Sequence, residues 1–153
     1  MTGTWVLVCD AGGARIFTAK KRREGGFQWD LVQELDNPLG RARTSDLVSD
    51  QQGRVRQSGS GTAPFIKAHH DAAEVEEDRF ALELTRLLQH AFDTHVFDQL
   101  VIAAPPRFLG ALRNHLREPV ARTVLASLDK DYTHLEGRDL EERLEAAILG
   151  RGT

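Results

Sequence analysis

The chain begins with a nearly continuous apolar run, Trp5-Val6-Leu7-Val8-Cys9, the pattern of a strand buried on both faces. Asp10-Ala11-Gly12-Gly13 follows with turn chemistry, since paired glycines reach positive φ without a Cβ clash. Arg15 to Ala19 reads as a second strand, so the two form a hairpin. Lys20 to Gly26 is a polar turn, and Phe27 to Val32 alternates as a third strand. Three such strands predict an antiparallel meander. The pattern then breaks at Asn37-Pro38-Leu39-Gly40, and residues 51–61 contain almost no apolar side chain. With Gly53, Ser58, Gly59, Ser60 and Gly61 inside it, the stretch 36–72 reads as a long flexible loop. Loops of that length inside a compact domain are uncommon and are usually functional or disordered.

From Ala73 the period changes. Phe80, Leu84, Leu87, Leu88 and Ala91 fall on one helical face, with Glu76, Glu77, Asp78, Glu83 and Arg86 pointing away. Leu100 to Ala104 is an apolar run suited to a buried central strand. Pro105-Pro106 opens a helix with its stripe at Phe108, Leu109, Leu112 and Leu116, and Glu118-Pro119 interrupts it. Val124 to Leu128 reads as a fifth strand or as a helix end. Arg138 to Leu149 is an amphipathic helix burying Leu140, Leu144 and Ile148. The order βββ-αβαβα predicts one α/β domain over residues 1–150, a five-stranded mixed sheet with right-handed crossovers and helices on both faces. The ribonuclease H-like architecture has this order.

Composition narrows the field. The 153 residues are 41% apolar and 28% charged, the balance of an ordinary globular domain. A formal net charge of -3 gives no global field toward nucleic acid or anionic lipid, so any polyanion contact has to come from a local patch. The N-terminus carries no basic run and only a short apolar stretch, and no window approaches the roughly 20 apolar residues that span a bilayer. Cys9 stands alone, so no intrachain disulfide forms. A cytoplasmic location is the expectation, with no membrane and no DNA partner.

Three segments resemble the bacterial host attachment protein family: Trp5 to Asp10 with Ala14-Arg15-Ile16-Phe17, Leu100 to Arg113, and Leu128-Asp129-Lys130-Asp131-Tyr132-Thr133. Arg79-Phe80-Ala81 in the linking helix also matches. That family is similar to the middle domain of archaeal and eukaryotic peptide-chain release factors and of Pelota, which implies the fold read above. In release factors the loop after the third strand carries a Gly-Gly-Gln tripeptide. Here that loop reads Gln51-Gln52-Gly53-Arg54-Val55-Arg56-Gln57-Ser58-Gly59-Ser60-Gly61, without it. The resemblance therefore implies ribosome, rRNA or tRNA association rather than peptidyl-tRNA hydrolysis, and any role in attachment to host cells is indirect.

Asp10 ends the first strand and, with Asp129 and Asp131, forms the candidate set for a metal-dependent nuclease or hydrolase, but the central strand 100–104 carries no acid. Asp10 also serves as a turn residue. His69-His70-Asp71 reads as a polar lead-in, in which adjacent histidines diverge and Asp71 caps the helix; His90 and His95 lie apart from it. Cys9, inside the most apolar strand, reads as core. No nucleophile elbow and no phosphate-binding loop occurs. Lys20, Lys21, Arg22 and Arg23 crowd the second turn, and the loop adds Arg41, Arg43, Arg54, Arg56, Gln57 and Lys67. These are the candidate RNA contacts, with the segment 41–67 as the contacting element. The competing reading is a solvated turn that keeps the sheet from pairing at its edge. No cofactor and no catalytic set is expected, and a protein partner is an open alternative.

Overall fold

A computed structural model describes the backbone of residues 3–41 and 62–152, and the side chains of these except 62–71 and 151–152. Strands β1 (Gly3–Asp10), β2 (Gly13–Lys21) and β3 (Phe27–Asp36) form the expected meander. Helix α1 (Thr62–Asp93) leads to β4 (Phe97–Ala103), then α2 (Pro106–His115), α3 (Glu118–Ala121), β5 (Val124–Leu128) and α4 (Gly137–Gly152). The five strands lie in the order β3-β2-β1-β4-β5. β1 and β2, like β2 and β3, run antiparallel, while β4 joins β1, and β5 joins β4, in parallel. The sheet is mixed, and Val124 to Leu128 is a strand.

Alternation along the central strands divides the core in two. Trp5, Leu7, Cys9, Leu100 and Ile102 face Phe80, Leu84 and Leu88 of α1 and Phe108, Leu109 and Leu112 of α2. Val6, Val8, Val101 and Ala103 face Leu140 and Leu144 of α4. The continuous apolar runs of β1 and β4 arise because both faces of these strands are covered. Aromatic rings fill the first layer, with Trp5 stacked on Phe97 at 5.2 Å and Phe80 5.9 Å from Phe108.

Two expectations change. Helix α1 begins at Thr62, not at Ala73. Asp71 therefore lies inside the helix and cannot cap it, and His69 and His70 are helical neighbours about 100° apart rather than residues of an extended lead-in. Pro64 is no obstacle, because the first helical turn has no partner for its N–H groups. The glycines of the first turn also act differently from expectation. Positive φ occurs at Gly25, Gly26 and Gly137, but at neither Gly12 nor Gly13. Those two serve close approach: a Cβ on Gly13 would lie 3.0 Å from the Leu35 carbonyl oxygen, and one on Gly12 would lie 2.4 Å from Arg41 Cγ.

Helix α1 ends in a Schellman motif at a residue ill suited to it. His95 has φ 61°, its N–H donates to the Phe92 carbonyl, and the Val96 N–H donates to the Ala91 carbonyl at 2.9 Å. A left-handed conformation at a residue with a Cβ costs about 1–2 kcal/mol, part of which glycine returns through the entropy of its unfolded chain. His95→Gly is thus expected to raise stability by about 0.5–1 kcal/mol, read as a higher midpoint in chemical denaturation with an unchanged m-value.

Candidate functional site

The carboxyl ends of parallel strands are where open α/β sheets place ligand sites, and here that edge holds a dense polar cluster built on the first hairpin. Asp10 closes the turn by accepting a hydrogen bond from the Gly12 N–H through Oδ1 at 2.8 Å. The Gly12 carbonyl accepts from the Asn37 N–H at 2.9 Å and from Arg41 Nη1 at 2.8 Å. Asn37 is 4% exposed; its Nδ2 donates to the Ala11 carbonyl at 2.7 Å and its Oδ1 accepts from Arg79 Nη2 at 2.8 Å. A helical turn starts at 38, and its Gly40 sits so close to the hairpin that a Cβ would fall 1.9 Å from the Ala11 carbonyl oxygen. The hairpin, the end of β3 and helix α1 are thereby joined at one point.

The connection from β5 to α4 joins them from the other side. Thr133 Oγ1 lies 2.5 Å from Asp131 Oδ1 and 3.2 Å from Asp10 Oδ2. A hydroxyl has one proton, so it serves one carboxylate at a time. The shorter contact and the Thr133 N–H, 3.0 Å from the same Oδ1, mark Asp131 as its main acceptor. Arg15 Nη2 donates to the carbonyls of Tyr132, Thr133 and Leu135 at 3.0–3.2 Å, which pins this connection onto β2. Two hydrogens shared among three acceptors imply at least one bifurcated bond. Two adjoining depressions of about 490 and 370 Å³ open here and share Asp10, Gly12 and Arg41.

Charge at this edge is largely neutralised. Arg41 pairs with Asp36 at 2.6 Å, and its guanidinium holds the Asp36 carboxyl below the ordinary carboxylate range. A depressed carboxyl contributes stability above its unfolded pKa and loses it as pH falls through the folded value; with both side chains more than half exposed, that contribution is screened and small. Arg79 lies between Glu76 and Glu83, and Arg107 of α2 reaches Glu77 at 2.9 Å. Burial pushes the Cys9 thiol well up, with Asp10 and Asp131 adding to the shift, so it stays a neutral part of the core.

The proposed carboxylate set does not assemble. Among the described residues no three His, Cys, Asp or Glu side chains are placed to hold one metal ion. Asp10 and Asp131 meet through Thr133, but Asp129 is not part of the cluster. Among the described residues, the candidate RNA contacts Arg41 and Lys20 to Arg23 lie apart. Arg41 lies at the carboxyl edge, bound to Asp36 and Gly12. Lys20 to Arg23 lie at the far end of β2 and in the turn beyond it, where the register runs from Gly13 beside Asp10 to Ala19 beside Thr4. At ~3.4 Å per residue the two ends of β2 are about 27 Å apart. Arg43, Arg54, Arg56 and Gln57, and the side chain of Lys67, lie outside the described residues. Asn37, Arg15 and Thr133 were missed as site residues. Each acts through partners distant in sequence, and only the Asn37-Pro38-Leu39-Gly40 break signalled that something happens there.

Residues 5–144, from β1 into α4, match the family of proteins described as required for attachment to host cells. The chain belongs to this host attachment family. The matched span includes every strand but the first residues of β1, together with the hairpin hub, Arg41 and the Thr133 connection. A search of curated proteins found no match to the chain. No described helix of this host attachment protein is long and apolar enough to cross a membrane.

Proposed function

We propose that this host attachment protein is a non-enzymatic, RNA- or ribosome-associated factor, similar in plan to the release-factor middle domain, which acts through the segment from Arg41 to Lys67. The observation that carries the reading is the anchoring of that segment. It leaves the carboxyl edge of the sheet directly after Arg41, where Asn37, Gly40 and Arg41 are locked onto the first hairpin. The strand order β3-β2-β1-β4-β5, with β2 antiparallel to β1, is the order a ribonuclease H-like fold requires, and it supports the same analogy. Since Arg41 is bound to Asp36 and Gly12, it positions the segment, and Arg43, Arg54, Arg56, Gln57 and Lys67 are left as its contacts, with Arg54, Arg56 and Gln57 the first to test. The segment carries no Gly-Gly-Gln, so on this reading the domain works by binding rather than by peptidyl-tRNA hydrolysis. An effect on attachment to host cells is then indirect, through the expression of other surface molecules.

The double variant Arg54→Ala/Arg56→Ala is expected to lose association with ribosomes or RNA in a pelleting assay. Losing two phosphate contacts also makes the dependence of log K on log salt shallower by about 2. Unchanged binding with an unchanged slope removes this segment as the contact, and capture of partners that resists ribonuclease moves the reading to a protein-interaction module.

A further inference from the structure

The far end of the sheet carries a group of cations without a structural task. Lys20 and Lys21 end β2, Arg22 and Arg23 open the turn into β3, and all four are exposed. Among the described residues none of their side chains has an ion-pair or hydrogen-bond partner; the turn is closed by backbone alone, from the Arg22 N–H to the Gly26 carbonyl at 2.9 Å. Arg41, Arg79, Arg107, Arg122 and Arg138 each face a carboxylate. Arg86, Arg113 and Arg117 are exposed and, among the described residues, equally unpaired, but only at the tip do four consecutive cations share one turn. Glu24 is the one acid in the turn, so the tip is strongly positive on a chain of net charge -3.

Protection of a sheet edge does not account for these charges. β2 is an inner strand, flanked by β3 and β1, and shields no open edge. The true edge strand, β3, carries Asp30, Glu34 and Asp36 instead. Nor does the tip present apolar side chains to a bilayer. Phe27 and Trp29 turn back against the second core layer, and Trp29 Nε1 donates to Glu145 Oε2 at 2.7 Å. Exposed cations held on a rigid two-stranded ribbon, without an apolar wedge, suit a phosphate backbone.

We propose that the β2–β3 tip, formed by Lys20, Lys21, Arg22 and Arg23, is a phosphate-backbone contact for RNA. It lies at the opposite end of β2 from Arg41, where the 41–67 segment is anchored, about 27 Å away. This rests on the RNA-associated reading above and adds a second, purely electrostatic contact to it.

The test is binding of a fluorescein-labelled RNA duplex to the full chain between about 50 and 200 mM salt. The variant Lys20→Gln/Lys21→Gln/Arg22→Gln/Arg23→Gln removes the charges at exposed positions, and a thermal melt checks that the fold is kept. If all four residues contact phosphates, the variant binds at least tenfold more weakly at low salt and its salt slope is shallower by about 3–4. An unchanged affinity and slope overturns the tip contact, and loss of binding in Arg54→Ala/Arg56→Ala in the same series shows that the segment reading survives it. Absence of RNA binding by the unaltered chain overturns both. Binding to phosphatidylserine vesicles that the four substitutions abolish, with RNA binding untouched, assigns the tip to a membrane surface and overturns the RNA contact.

Discussion

Phe80→Ala is expected to lower the unfolding free energy by about 3–5 kcal/mol, the range for removing a fully buried aromatic side chain from a core. Phe80 is 1% exposed on α1 and lies against Phe108 of α2, so its ring joins both helices to one face of the sheet. Leu84, Leu109 and Leu112 share this core with Phe80, so a helix shift that filled the space would disturb their packing. For a domain of this size the melting midpoint falls by roughly 10 °C or more. Leu149, 48% exposed on α4, is the matching control, and its truncation stays within about 0.5 kcal/mol. Chemical denaturation of both variants reads the difference. A small effect at Phe80 means that α1 is not packed on the sheet as described.

Gly40→Ala is expected to cost about 3 kcal/mol, from overpacking and two hydrogen bonds at about 1 kcal/mol each. The added methyl would lie 1.9 Å from the Ala11 carbonyl oxygen and 2.6 Å from Asn37 Nδ2. A backbone carbonyl has no rotamer by which to move aside, so the turn starting at 38 has to lift off the hairpin. That lift breaks the Asn37–Ala11 and Arg41–Gly12 bonds. Gly110→Ala is the informative counterpart, because a Cβ there meets nothing within 4 Å and the residue lies inside α2. It is expected to raise stability by about 0.5–1 kcal/mol. Opposite signs at the two glycines are read in one set of thermal melts. Because the 41–67 segment departs from this turn, Gly40→Ala should also weaken RNA association beyond what its stability loss explains.

The strands were legible because their burial is simple. β1 and β4 lie between two helical layers, so their runs are apolar throughout, and the meander follows from short turns between alternating segments. The last helix was legible from Leu140, Leu144 and Ile148, of which the first two are buried. Helix α1 is legible in the sequence only from Ala73, where the apolar period becomes visible. Its first turns, Thr62 to Ala72, carry Pro64 and the pair His69-His70, and no helical stripe distinguishes them from loop.

The site was less legible for a different reason. Asp10 and Arg41 were named individually, but what joins them is the backbone of Ala11 and Gly12, and carbonyl groups leave no mark in a sequence. The same holds for Arg15, whose partners are three carbonyls more than a hundred residues away. The sequence shows the glycines at 12 and 13 but not their purpose, because close approach to Arg41 and Leu35 depends on where β3 returns. Lys20 to Arg23 and Arg41 look alike along the chain, whereas the register of β2 sends them to opposite ends of the sheet.

The most direct measurement of the central claim is sedimentation of the tagged protein from a native cell lysate through a sucrose gradient, at low and at moderate salt. Comigration with ribosomes or their subunits that weakens as salt rises is the expected result. Protein that stays at the top of the gradient under both conditions contradicts it.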